Sequence, residues 1–581
     1  MQFKNILKPN YTDQNWRKPL AYSSNPVDRE NVPLQNIERS QLPVEADGEP
    51  KDGQAKEFVI LKKRQAATNM ELFFDLFFVA NLSSFASAHE INTNDSLRSY
   101  IGYITILWFY WLQTAFYDIR FYRDSISSRI SKAMHLGIMT GLAVLAPNFD
   151  TNEPLNHPRR FRNTTLIIMG SRILLAVQYG FVAWYVRGYK KTLAAKLTTV
   201  GVLFTSAMIY LILAFAATKE HGRYAYLAWY IIPFFEALFM VVISSRWESL
   251  SFKDTPIVER FGGMTLMVLG EGIVGMTKTV SSITKGTQYP TAVSVVLITG
   301  YLIINYFIFM IYFDQVDEKR FGFIRQQIWA LLHYPFHIAI LITNEGSRAF
   351  VLFAVATDFL AEALDTAKGA MRAATTGGEL AASLRAMAAT LAARLRGNKP
   401  PPDFEPILRN ITALSKSSSA SEGEAEFLVD KFISQLVIWL TSTFGIEIEP
   451  GKSATTNTEV QIDRISDKFL VTFRFYFICS GLVLVSLGLL HWFSKSHKSR
   501  GESISIIITT VMGVILSLIS LLVLTDDPND LRNPFNTYST SGFIVPTVVI
   551  AFGLVVAIDN LIILISHKRR TKYAAQAYRQ V

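Results

Sequence analysis

The chain has 581 residues, of which 50% are hydrophobic and only 18% charged, against about 25% charged in an average soluble domain. Its net charge of +10 requires no nucleic-acid partner, because basic loops on the cytoplasmic side of a membrane supply it. Cys479 is the single cysteine, which excludes an intramolecular disulfide and a cysteine-rich metal site.

Residues 1–65 are rich in Asn, Pro, Gln and charge and read as a disordered cytoplasmic tail. They contain no apolar core followed by a cleavage motif, so the first apolar span is expected to act as an uncleaved signal. That span opens with Glu71-Leu72-Phe73-Phe74-Asp75-Leu76-Phe77-Phe78-Val79-Ala80. Two acids four residues apart share one helix face. Each charge at a bilayer centre costs roughly 2.5 to 3.5 kcal/mol, so Glu71 and Asp75 are either solvated at the headgroup boundary or buried as polar groups of a membrane core.

Apolar stretches long enough to cross a hydrocarbon core of about 30 Å recur along the chain. The sequence predicts spans near 72–88, 100–117, 132–149, 165–186, 198–217, 224–244, 257–279, 291–313 and 327–356, then 468–491, 502–524 and 543–566. The fold class is therefore all-α, a polytopic membrane bundle of about 12 helices. Residues 66–356 form a core of about nine spans, 466–567 add three, and 568–581 are a cytoplasmic tail. Glu345-Gly346-Ser347-Arg348 interrupt the ninth span, which is one long tilted helix or a span followed by a surface turn.

Basic residues mark one side: Lys62, Lys63 and Arg64 before the first span, Arg120, Arg123, Arg129 and Lys132 after the second, and Arg187, Lys190, Lys191 and Lys196 after the fourth. Lys319, Arg320 and Arg325 follow the eighth, Lys495, Lys498 and Arg500 the tenth, and Lys568, Arg569 and Arg570 the twelfth. Both termini are thus expected in the cytoplasm. Asp526, Asp527 and Asp530 mark the opposite side, against which Arg159, Arg160 and Arg162 are the exception. Glycosylation tripeptides at Asn94, Asn163 and Asn410 fall in loops predicted to lie outside, whereas the one at Asn81 lies within the first span.

Residues 357–465 form a helical insertion. Leu380, Leu384, Met387, Leu391 and Leu395 make one apolar stripe, and Phe432, Ile433, Leu436, Val437 and Leu440 a second. Pro400-Pro401-Pro402 and the serines from Ser415 to Ser421 read as linkers. Both stripes either pack on the protein's own outer face or lie in the lipid interface.

Polar residues inside spans are the candidates for chemistry. Glu271 lies near mid-membrane in Leu269-Gly270-Glu271-Gly272-Ile273-Val274-Gly275. Glycines permit close helix approach and weaken the helix enough to permit a break. Glu236 follows Pro233, and Arg172 is the candidate counter-ion for Glu236 or Glu271. His333 and His337, spaced by four around Pro335, suit hydrogen bonding or a proton relay better than a metal, since no third ligand clusters with them. Arg474, Asp559 and Asn560 are further polar candidates. No Walker A, Gly-x-Ser-x-Gly or His-Glu-x-x-His motif occurs, so no cofactor, metal or enzymatic activity is expected.

Glu71-Leu-Phe-Phe-Asp75-Leu-Phe-Phe-Val79, Glu259-Arg260-Phe261-Gly262 with Val268-Leu-Gly-Glu271, and Asp118-Ile-Arg120 together resemble the low-temperature-requirement A (LtrA) family over about 65–345. The tail, the insertion and the last three spans look like those of extended fungal members. Phe77 and Phe78 stand where many members have a smaller aliphatic residue, a departure that affects packing. The resemblance implies a polytopic membrane protein linked by the family's name to growth in the cold, and no established reaction. Glu71 and Glu259 each open an odd-numbered span, which is compatible with two parallel six-span halves.

Two functions follow from these residues. One is a secondary transporter or permease with proton coupling through Glu271 or Glu236, and Glu71, Asp75, Arg172, Glu259, His333 and His337 as further pathway candidates. The other is a non-transporting membrane protein for stress or cold adaptation, in which the same residues are structural. The expected partners are membrane lipids and a small molecule or ion, with no nucleic acid and with a homo-oligomer open. The expected location is the plasma membrane.

Overall fold

The computed structural model describes residues 68–578, apart from 152–156, 189, 217–223, 248–249, 251, 253–254, 288–290, 315–322, 396–399, 415–421, 445, 447–457, 496–497 and 527–532. The tail up to residue 65, the serine linker at 415–421 and the loop charges Lys319, Arg320, Asp527 and Asp530 lie outside the described residues. The described chain is all-α, with one isolated antiparallel bridge between Thr287 and Leu395.

The helices are α1 (Asn69–Ala88), α2 (Asn94–Phe121), α3 (Ile126–Leu145), α4 (Pro158–Tyr185), α5 (Lys190–Ala216) and α6 (Ala228–Arg246). They continue with α7 (Ile257–Gly286), α8 (Ala292–Phe313), α9 (Phe323–Ala373), α10 (Gly377–Arg394), α11 (Glu405–Leu414) and α12 (Glu422–Thr443). Last come α13 (Thr458–Ser494), α14 (Arg500–Leu518), α15 (Pro534–Ser539) and α16 (Ile544–Tyr578). The chain divides into two units, one of residues up to 81 with 105–260, the other of 82–104 with 261–581. Helices α1, α2 and α7 contribute to both.

Ten helices among the described residues are long and apolar enough to cross a membrane. Their outer faces carry bare apolar side chains, among them Val144, Phe181, Trp184, Phe215 and Leu524. An exposed apolar surface of that extent suits lipid and not water. The protein is a multi-pass helical membrane bundle. Two of the twelve expected spans, α2 and α7, fall outside the ten. At 28 and 30 residues they are long enough, about 42 and 45 Å at 1.5 Å per residue. What sets them apart is polarity. Helix α2 carries Gln113, Asp118 and Arg120, and α7 carries Glu259, Arg260, Glu271, Lys278 and Lys285. Every residue from 102 to 116 of α2 is buried, so it meets protein on all sides and needs no apolar belt of its own.

In the first unit α4 packs along α5, and α3 against α4. In the second, α9 packs against α13 and α13 against α14. Helix α9 runs unbroken for 51 residues through Pro335 and through Glu345-Gly346-Ser347-Arg348, so the ninth span is one long helix. The apparent interruption is a helix contact. A Cβ on Gly346 would stand 2.6 Å from the Tyr476 ring of α13, and Ser347 Oγ donates to Tyr476 Oη at 3.4 Å.

The helix α9 continues to Ala373, sixteen residues past the expected start of the insertion at 357. The apolar stripe of α10 is buried, as are Phe432, Leu436 and Leu440 of α12. Both stripes are covered by protein rather than left to the lipid interface. Arg385 of α10 grips Glu405 of α11 with two hydrogen bonds of 2.9 Å, and Phe404 lies 4.6 Å from Phe432. The glycosylation candidates do not sit in loops. Asn163 and Asn410 are exposed within α4 and α11, and Asn94 is the first residue of α2. Asn81 is buried and donates to the carbonyls of Phe77 and Met139.

Candidate functional site

Each unit has its own polar interior, and the two differ in kind. In the first, Glu71 and Asp75 are both fully buried, which decides against solvation at a headgroup boundary. They do different things. Glu71 accepts from the amide and hydroxyl of Thr68, at 2.6 and 2.9 Å, and so caps the free N–H groups at the start of α1. Asp75 receives both terminal nitrogens of Arg260, Nη2 at 2.9 Å, and the indole N–H of Trp111 at 2.8 Å. A carboxylate held by a guanidinium fork and a third donor has its lone pairs occupied.

Close by in sequence, Lys132 pairs with Asp118 and lies 4.6 Å above the Phe74 ring. His135 Nε2 donates to Gln178 Oε1 at 2.9 Å, which leaves Nδ1 to accept from Tyr110 Oη at 2.8 Å. Arg172 Nε stands 3.2 and 3.0 Å from the two oxygens of Glu236. Of the two acids considered as its partner, Arg172 binds Glu236. A void of about 10 Å³ lined by Tyr110, Arg172 and Tyr210 has room for about one water molecule. This interior is tightly packed, and Asp75, Asp118 and Glu236 each face a cation.

The second unit contains a cavity of about 140 Å³ around Glu271. Glu271 is the fifteenth residue of the 30-residue helix α7, so it lies at the middle of that helix. The helix is continuous. The break that the glycines would permit does not occur, and Gly272 instead admits a neighbouring polar pair. A Cβ there would stand 2.3 Å from Asn344 Nδ2 and 2.8 Å from Asn305 Oδ1. The Gly272 carbonyl accepts from Tyr301 Oη at 2.9 Å. Glu271 is 94% buried; the hydroxyl of Ser83 lies within hydrogen-bonding reach of it, and its Oε2 has no partner among the described residues.

Two turns further along α7, Lys278 Nζ donates to Ser83 Oγ and Ser87 Oγ at 3.1 and 2.7 Å, so Ser83 stands between the acid and the ammonium. Glu345, Arg348 and Asn344 of α9 and Tyr100 of α2 complete the polar lining. Arg348 binds Glu345 at 2.5 Å and Glu90 at 3.5 Å, and Glu90 also binds Lys468 at 2.7 Å. A second cavity, of about 300 Å³, is walled mainly by apolar groups such as Phe353, Leu360, Leu440, Phe469 and Phe535.

The remaining candidates are dispersed. Glu259 is exposed in the first turn of α7, unlike the buried Glu71, so the two acids are not placed alike. His333 Nδ1 donates to the Trp329 carbonyl at 2.8 Å, and its Nε2 accepts from Tyr312 Oη at 2.8 Å. His337 Nε2 meets Thr265 Oγ1 at 2.9 Å. These imidazoles use their nitrogens in hydrogen bonds, as expected of them. Asp559 accepts from Ser505, Asn560 donates to the Val556 carbonyl, and Arg474 is exposed. Sequence reasoning missed Lys278, Arg348 and Asn344. Lys278 was within reach of it, since i and i+7 share a helix face.

Among the described residues no group of three or more His, Cys, Asp or Glu side chains is placed to hold a metal ion. No curated protein and no solved structure matches the chain. A family model does, and its match ends at residue 400 rather than near 345, which brings the second half of α9 and all of α10 into the family's common part. The model described as bacterial low temperature requirement A protein matches residues 66–400, more than half of the chain, and the chain belongs to the LtrA family.

Proposed function

We propose that this protein is a secondary transporter in which Glu271 carries a proton across the membrane, with no covalent change to its cargo. The supporting observation is the cavity of about 140 Å³ that reaches Glu271 at the middle of α7. A buried carboxylate in the wall of a polar space can exchange a proton with whatever enters that space. In the first unit Asp75, Asp118 and Glu236 each pair with a buried cation, Arg260, Lys132 and Arg172, and act as structural charges. Placement in the plasma membrane with both termini cytoplasmic accords with the basic residues that flank the spans. Importance for growth at low temperature accords with the family's description.

The test uses Glu271→Gln, which keeps shape and part of the hydrogen bonding and removes the titratable group. Wild-type protein in liposomes is expected to dissipate an imposed pH gradient in the presence of its cargo. The variant is expected to unfold at the wild-type temperature in detergent and to move no protons, and a host that depends on the protein in the cold loses that growth. Wild-type flux from a stable Glu271→Gln protein would overturn the role given to this acid.

A further inference from the structure

Two carboxylates and two cations line the Glu271 cavity, and they are unevenly paired. Glu345 and Arg348 neutralise one another one turn apart on α9. The second carboxylate near Arg348, Glu90, is also held by Lys468. Lys278 has no such partner. Its ammonium donates to two serine hydroxyls, and no carboxylate among the described residues lies within ion-pair distance of it. Hydroxyls satisfy N–H groups but leave the positive charge standing.

The uncharged part of the lining is polar as well. Asn344 is 4% exposed, and its amide oxygen accepts from Asn305 Nδ2 at 2.9 Å. The orientation of that pair is fixed, because the same Asn305 nitrogen donates to the Tyr301 carbonyl at 3.2 Å. The Asn344 Nδ2 is left without an acceptor among the described residues, and so is Arg348 Nε. Asn305 Oδ1 likewise has no donor among the described residues, and these atoms are buried within the wall of the cavity. An anion would meet, at Lys278, a positive charge that no carboxylate among the described residues holds in an ion pair.

We propose that the cavity binds a small monovalent anion on Lys278 together with a proton on Glu271, and that the two cross as a pair. This rests on the transporter function proposed for the same cavity. With Glu271 ionised, the four charged groups of the lining cancel. One proton and one anion entering together preserve that balance, whereas either alone leaves a net charge inside a low-dielectric bundle. The volume sets the size. An engineered cavity of about 150 Å³ accepts benzene, so the anion has about six non-hydrogen atoms or fewer. A short monocarboxylate and an inorganic anion such as nitrate share that chemistry.

The experiment places the full-length protein in liposomes loaded with a pH-sensitive dye at equal pH on both sides. An inward gradient of N-methylglucamine nitrate is applied in one arm, and uptake of labelled lactate under an acid-outside gradient is followed in the other. Acidification of the lumen by nitrate, proton-driven lactate uptake above protein-free vesicles, or both, is the expected result, and the arms say which anion is preferred. Lys278→Gln is expected to lower the rate at least tenfold at an unchanged unfolding temperature, with Lys278→Arg retaining most of it. Glu271→Gln is expected to abolish coupling to protons. Wild-type rates in Lys278→Gln would overturn the anion site. So would proton exchange driven by Na⁺ or K⁺ gradients with both anions silent, an outcome that leaves the transporter function standing. Vesicles in which no gradient moves protons would overturn both.

Discussion

Asp75 and Arg260, 185 residues apart in sequence, form a two-pronged ion pair buried to about 1% exposure in the first unit. Both belong to the segments that resemble the LtrA signatures, so the two motifs are the halves of one contact. Neither charge has water to return to. Removing one partner of such a pair costs about 3 to 5 kcal/mol, because the other is stranded in a low-dielectric interior. Asp75→Asn and Arg260→Gln are each expected to destabilise by that amount in detergent unfolding. The double variant Asp75→Asn/Arg260→Gln is expected to recover more than half of the summed loss. Losses that simply add would show that the two side chains do not act as a pair. Arg260→Lys keeps the charge but not the fork, and is expected to fall between wild type and Arg260→Gln.

Gly272→Ala probes the crowded side of the Glu271 helix. The added methyl would overlap Asn344 Nδ2 at 2.3 Å and Asn305 Oδ1 at 2.8 Å. Overpacking of this kind typically costs 1 to 3 kcal/mol, and here it also parts the amide pair that orients Asn344. Both stability and flux are expected to fall. Gly270→Ala is the control, since its Cβ would meet nothing within 4 Å. If the two alanines behave alike, Gly272 is not a close-approach site.

The all-α class, ten of the twelve expected spans, the burial of Glu71 and Asp75 as one of two alternatives, and Glu236 as one of two acids weighed for Arg172 were legible in the chain. These follow from local hydropathy, helical spacing and the scarcity of charges in the spans. Arg260 was visible as a residue of the motif but not as the partner of Asp75, because periodicity names a helix face and not the helix opposite. The glycines around Glu271 pointed to close approach and permitted a break. Only the first occurs, since Asn344 and Asn305 fill the groove at Gly272 while the backbone stays helical. Arg348 was read as part of an interruption because an ion-pair network on a long helix looks, in one dimension, like a loop.

The α10–α11 contact is expected to depend on pH. Glu405 is held below the usual carboxylate range by its hydrogen bonds from Arg385, at a site outside the spans. A depressed carboxylate contributes stability above its ordinary value near 4.5, and that contribution disappears as pH falls through the folded value. Arg385→Ala is therefore expected to speed amide exchange in α11 relative to wild type at pH 6 and to make a smaller difference at pH 3. The pair is exposed, so the effect is small. An equal difference at both pH values would assign it to lost packing by the arginine stem.

Membrane topology hinges on α2 and α7. If both cross, the chain has twelve spans and the turn at 186–188, between α4 and α5, lies on the same side as the termini. If neither crosses, there are ten. The termini still share a side, but the 186–188 turn moves to the opposite one, while the connection between α8 and α9 stays where it was. Two observations favour crossing. Both helices exceed the roughly 30 Å of a hydrocarbon core, and Arg187, Lys190, Lys191 and Lys196 beside the turn belong on the cytoplasmic side. Cysteine labelling suits the question, because Cys479 is 8% exposed and the only thiol to remove. In a Cys479→Ala background, cysteines placed at 188 and 318 are expected to be shielded from an impermeant maleimide in intact cells and reactive after permeabilisation. A cysteine at 528 is expected to react in intact cells. Labelling of 188 in intact cells, with 318 still shielded, would leave α2 and α7 as helices that enter the bundle without crossing it.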